Sequence, residues 1–175
     1  MTELVSGWGW TEQAKLSFAF LQRPEYGFQL QAGCSANNPY FGYVKYTNQQ
    51  GVFVSLSGDS RDCIYLELGS KECTELAPPD PCTFNLAEVI DWLDHEAFMA
   101  LGGQVVFGNY PLTLEAMPRQ FAQWARLLEL YCRPILLGVF TGWNELTKHR
   151  QEIIEKSHWE ESSKTMPNWR KYMGL

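Results

Sequence analysis

The spacing of apolar residues changes once in the first half of the chain, near Gly27. Before it, Ala14, Phe18 and Leu21 follow Thr11 at the interval of one helical face, and Thr11 offers an N-cap oxygen. This predicts a short opening helix over 11–21, with Pro24 preventing its continuation. After Gly27 the period falls to two, and strands are expected over 28–32, 42–47, 52–56 and 63–68. The stretches Ser35-Ala-Asn-Asn-Pro39, Asn48-Gln-Gln-Gly51 and Ser57-Gly-Asp-Ser-Arg61 are rich in the residues that turn a chain between antiparallel neighbours. Val52, Val54 and Leu56 point one way and Phe53 and Ser55 the other, so one face of the sheet should be core and the other partly open.

Three prolines in Ala77-Pro-Pro-Asp-Pro-Cys82 remove backbone donors and fix φ, which neither a helix nor a central strand accepts. The segment divides a sheet half (about 11–76) from a helical half (about 83–161). In the latter, Asn85 with Glu88 three residues on has the form of a capping box, and Leu86, Val89, Ile90 and Leu93 make one stripe, predicting a helix over 86–95. The run 101–108 is a further strand candidate. Phe121, Trp124, Ala125, Leu128 and Cys132 keep helical period, predicting a helix over 119–137 with Pro118 at its first turn, a kink at Pro134 and Gly138 as the residue after its end. Thr141 is the expected cap of a last helix, with Leu146, Ile153 and Ile154 buried and Lys148, Arg150, Glu152, Glu155 and Lys156 in water. Residues 162–175 have little periodicity. The expected fold is a single α+β domain: a short helix, an antiparallel sheet of about four strands, then three helices on one face or end of it.

Composition narrows the partners. With 45% hydrophobic and 19% charged residues in 175, the chain reads as one globular domain. It has no apolar run of the ~18 residues a spanning helix needs, and its start lacks a signal peptide's basic segment, so the expectation is a cytoplasmic protein without a membrane partner. The net charge of −6 argues against binding nucleic acid. Cys34, Cys63, Cys73, Cys82 and Cys132 are an odd number, read as reduced thiols, and their spacing is too loose for a zinc knuckle. No metal or cofactor is expected. Residues 59–96 hold ten acids against Arg61 and Lys71, while 97–175 hold seven acids and nine bases, so the charge is concentrated in the middle of the chain. Such a surface steers a basic partner and speeds its association.

The common catalytic fingerprints are missing: no G-x-S-x-G, no P-loop and no G-x-G-x-x-G. Cys132 with His149 or His158 has the residue types of a thiol/imidazole pair, but Cys132 shares the stripe of Trp124 and Leu128 and reads as core. Glu155 and His158 have a metal-binding spacing without the second such pair a di-iron site needs. His95, in Asp91-Trp-Leu-Asp-His-Glu96, would be useful for proton transfer only inside a pocket; otherwise it is an exposed helix end. Among the seven tryptophans, Trp92 and Trp124 fit helix stripes, whereas Trp8, Trp10 and Trp169 lie outside the predicted helices as clamps on the domain or anchors for a partner.

The pieces Phe18-Ala-Phe-Leu21, Tyr26-Gly-Phe28, Val44-Lys-Tyr46, Val52-Phe-Val54, Ile64-Tyr-Leu-Glu-Leu-Gly69 and Leu136-Leu-Gly138-Val-Phe140 together resemble small bacterial proteins that begin with a helix and a "YGF" strand before a curled antiparallel sheet. Some small acidic proteins of that kind look like immunity partners of toxins. The resemblance implies a binding role and carries no catalytic residue set.

Two functional readings follow. The favoured one is a non-enzymatic domain that binds a protein, such as an immunity-like inhibitor of a basic partner, through Asp59, Asp62, Glu72, Glu75, Asp80, Asp91 and Asp94. The competing one is a small-ligand binder or hydrolase-type enzyme with a pocket between sheet and helices, using His95, His149 or His158 with nearby carboxylates. A homodimer built on an open sheet edge or the tail aromatics is compatible with either.

Overall fold

Alternating residues of the sheet half pair into a five-stranded antiparallel meander, β1 (Gln29–Ser35), β2 (Asn38–Thr47), β3 (Val52–Gly58), β4 (Ile64–Ser70) and β5 (Thr83–Asn85), in sequence order. The computed structural model describes residues 8–35, 38–58, 64–71, 83–102 and 116–153. The proline-rich connection 77–82, all but the start of the strand candidate 101–108, Cys63, Cys73 and Cys82, His158, Trp169 and the tail 162–175 lie outside these. The four expected strands are present, three of them longer or shifted by one to three residues at an end, while β2 begins four residues early and takes Asn38 and Pro39 out of the expected turn, and β5 adds a fifth at the edge.

The register builds the core face. Leu30, Tyr46, Val54, Leu68 and Phe84 line up across all five strands, with Val44, Leu56 and Leu66 in the next row. Apart from the half-buried Leu30, all of these are buried. On the other face Tyr43 and Tyr65 are exposed, and Lys45, Ser55 and Glu67 form a half-buried row. Phe53 belongs to that face and is nonetheless buried, with the Lys45 ammonium 4.4 Å from its ring centre. The turn between β2 and β3 closes as expected: the Val52 N–H donates to Asn48 Oδ1 (2.9 Å), and the Gly51 N–H to the Asn48 carbonyl (3.1 Å).

Helices cover the core face. The first, α1 (Trp8–Ser17), begins earlier than the cap at Thr11 suggested and gives way to a 3-10 turn, Ala19–Gln22. Trp8 and Trp10 therefore belong to its first turn, and Trp10 is buried as a clamp on the domain. The capping box at α2 (Leu86–Leu93) is complete: the Glu88 N–H donates to Asn85 Oδ1 (2.9 Å) and the Asn85 N–H to Glu88 Oε2 (2.8 Å). This helix stops before His95, because Asp94 turns away from helical geometry and its carboxylate accepts the Ala97 N–H (2.9 Å), starting α3 (His95–Ala100).

The long helix expected over 119–137 is two, α4 (Met117–Tyr131) and α5 (Arg133–Leu136), divided at Cys132. Pro118 sits in the first turn of α4 as expected, while Pro134, expected to kink a continuous helix, opens α5, where its missing N–H leaves no bond unmade. Gly138 (φ 69°) ends α5: its N–H bonds the Ile135 carbonyl and the next N–H bonds that of Pro134, a complete Schellman closure. A side chain at Gly138 would also meet Gln50 of the β2–β3 turn at 2.8 Å. The last helix, α6, covers 143–153. Gly142, not Thr141, occupies its cap position, since the Leu146 N–H bonds the Gly142 carbonyl (2.9 Å). A Cβ at Gly142 would lie 2.7 Å from the Trp92 ring and 2.9 Å from Phe140, so a side chain there would force these rings to shift. Within the layer, α1 packs on β2 and α4, and α2 on β4, β5 and α4.

Candidate functional site

The edge strand β5 runs directly into α2, so the capping box stands at the corner where sheet becomes helix. Crossing this corner, α6 brings Arg150 Nε to 3.0 Å from Glu88 Oε1 and its Nη2 to 2.9 Å from Oε2. The same Nη2 also donates to the Thr83 carbonyl, and the guanidinium lies 4.1 Å from the Phe84 ring centre. Glu88 thus takes both a guanidinium fork and the capping N–H, a charge-assisted arrangement that only arginine's planar geometry satisfies. The sequence pattern puts Arg150 on the wet side of its helix. It is half-buried, and its partner lies 62 residues away, a separation that periodicity does not register.

Beside this knot a cleft of about 140 Å³ opens between α2, α3 and α6. Its apolar lining is Ala87, Phe98, Leu146 and Ile153, and its charged or polar lining includes Glu88, Asp91, His149 and Arg150. Ala87, Phe98 and Leu146 are buried, while the polar groups are only half-buried, so the cleft has an apolar floor and a charged rim. Ile153, expected in the core, is 45% exposed and belongs to that rim. Asp91 holds its Oδ1 2.6 Å from His95 Nδ1, and the His95 ring is 70% exposed at the surface.

Of the seven acids expected to meet a partner, Asp59, Asp62, Glu72, Glu75 and Asp80 lie outside the described residues. Asp91 and Asp94 are brought together on the α2–α3 corner, where Asp94 caps α3 and Asp91 pairs with His95. From Leu86 to Ala100 the chain carries Glu88, Asp91, Asp94 and Glu96 with no lysine or arginine. The described part of α6 adds Glu145 and Glu152 against Lys148 and Arg150, so the face remains negative. His149 lines the cleft, and His95 lies beyond Asp91.

Titratable groups elsewhere serve the core. Cys132 is fully buried, and burial pushes its thiol well above the usual range, which opposes a thiolate and leaves the core reading of this residue. Burial pushes the Tyr46 phenol up to about 12, and its hydroxyl donates to the Lys15 carbonyl at 3.4 Å. Tyr26 is raised by burial and then by Glu129, which accepts its hydroxyl at 3.3 Å. Among the described residues, no group of three His, Cys, Asp or Glu side chains is placed to hold a metal ion, and no helix is long and apolar enough to cross a membrane. Comparison of the chain with protein-family models, with curated proteins and with solved structures finds no match.

Proposed function

We propose that this protein is a non-enzymatic binding domain that docks a basic protein on the acidic corner formed by α2 and α3 beside α6. The observation that carries this reading is the cleft itself, in which an apolar floor lies next to Asp91 while Asp94 and Glu96 stand exposed on the same corner. Apolar anchors in a pocket and charges around it are how protein interfaces divide the work of affinity and steering. An immunity-like inhibitor of a basic enzyme is one protein of this kind.

The test begins with a photo-crosslinking residue at Glu96 and, separately, at Leu130 on α4. A partner should be captured from Glu96 and not from Leu130. Its association should then slow when Asp91→Asn, Asp94→Asn and Glu96→Gln are combined, since Asn at position 94 keeps the helix cap while losing the charge. Capture equal from both positions, or an unchanged association rate, would remove the proposal.

The small-ligand reading is favoured by a different observation, that His149 shares the cleft with Glu88 and Asp91. Glu88 is occupied by Arg150 and the Asn85 N–H, and the volume is well below the ~300–1,000 Å³ of pockets that take whole organic ligands. The cleft is close instead to the ~150 Å³ cavity known to take one benzene ring, about the bulk of a single side chain.

A further inference from the structure

We infer that the α2–α3–α6 cleft receives the side chain of one lysine of the partner. The inference rests on the binding reading above and names the chemistry of its anchor. Three features select this occupant. The apolar floor of Ala87, Phe98 and Leu146, extended at the rim by Ile153, suits an aliphatic stem, and the Asp91 carboxylate at the rim suits a cationic head, the division of surface that a lysine side chain carries. The charge around the mouth is negative: Arg150 is matched by Glu88, leaving Asp91, with Asp94 and Glu96 beyond it. Finally, one oxygen of Asp91 is engaged by His95 at 2.6 Å. A guanidinium is held best by two carboxylate oxygens in one plane, whereas an ammonium is a point charge that one oxygen can meet. The remaining oxygen of Asp91 therefore favours lysine over arginine. His149, also on the rim, adds a ring nitrogen able to accept or donate according to its tautomer.

The probes are n-butylammonium, its neutral counterpart n-butanol and n-butylguanidinium, each titrated into the full-length chain labelled with 15N. The amides of Ala87, Phe98 and Ile153 report on the cleft. Butylammonium should shift them saturably and bind about fivefold more tightly than butanol, the scale of one partly exposed ion pair. The Asp91→Asn variant should abolish that preference. The His95→Ala variant, which leaves the second carboxylate oxygen without a side-chain donor at position 95, should raise butylguanidinium relative to butylammonium. Equal binding of butanol and butylammonium, an ammonium preference that survives Asp91→Asn, or no saturable shift at these amides would overturn the inference. If the probes fail while partner association still depends on Asp91, Asp94 and Glu96, the lysine assignment falls and the acidic docking face stands. If neutralising those acids leaves association unchanged, the underlying reading falls, whatever butylammonium does.

Discussion

Among the described residues, the seam between α1 and α4 is packed with aromatic rings, whereas the corner between α2 and α6 combines rings with a charged fork. Between α1 and α4 the contact is aromatic: Phe121 meets Trp10, Phe18 and Trp124 at ring separations of 5.8 to 6.5 Å, and all four side chains are buried. Among the described residues, Trp10 Nε1, Trp124 Nε1 and Gln120 Nε2 are buried at this seam with no acceptor. At the α2–α6 corner a run of rings, Trp92, Phe140, Trp143 and Phe84, at separations of 5.0 to 6.0 Å, is joined by a polar contact in which Glu88 holds two arginine donors and a capping N–H. A dispersion-packed seam gains from every atom it buries and leaves little space. A forked ion pair instead fixes direction and distance at a few points, and the cleft lies beside it. The candidate site thus lies beside the charged fork, while one buried core runs through both seams.

Phe121→Ala should break the aromatic seam. A fully buried ring touching three others should cost about 3–5 kcal/mol on truncation, read by urea unfolding. Arg150→Ala breaks the polar seam and should cost about 1–2 kcal/mol, the pair being roughly one-third exposed on each side. Arg150→Lys should recover little of this loss, because an ammonium cannot make the fork. A cost for Arg150→Ala equal to that of Phe121→Ala would contradict the division between the seams.

A pH experiment sharpens the same comparison on the sheet side of α1. Burial raises the folded-state pKa of Tyr46 to about 12 from an unperturbed value near 10. Its contribution is complete below about pH 10 and is lost as pH rises toward 12, because the unfolded chain releases the proton more readily. Stability should fall by about 1 kcal/mol between pH 9 and 11 on this account, and Tyr46→Phe should fall less. Tyr26 and Cys132, also raised by burial, act in the same direction in both proteins. An identical alkaline fall in the two would contradict the assignment. The smallest effect is expected from Arg23→Ala, whose 3.0 Å pair with Glu129 is surface-exposed and should contribute no more than about 0.5 kcal/mol.

Local signals in the sequence carried the fold further than the site. Period-two alternation located β2 to β4 because one face of each is buried, and the Asn85–Glu88 box was legible because a cap is satisfied within four residues. β5 was not legible: three residues cannot show a period, and Thr83-Phe-Asn85 runs straight into the cap of α2. The break at Asp94 was hidden because the residue serves as the end of one helix and the cap of the next. At the site, the acidity of the α2–α3 segment was plain from composition. The pairing of Glu88 with Arg150 was not, nor the meeting of Phe98, Leu146 and Ile153, because these depend on how α6 returns to the sheet edge. His149, a candidate legible in the sequence, lines the cleft, which lies among three helices at the sheet edge.

The central claim is that the acidic α2–α3 corner is a docking face for a basic protein. Its most direct measurement is the association rate of the partner captured at Glu96, taken across ionic strength for the unaltered protein and for the combined Asp91→Asn, Asp94→Asn and Glu96→Gln variant. The unaltered rate should fall steeply with salt, and the variant's rate should be slower and nearly flat. Parallel salt dependences with equal rates would contradict it.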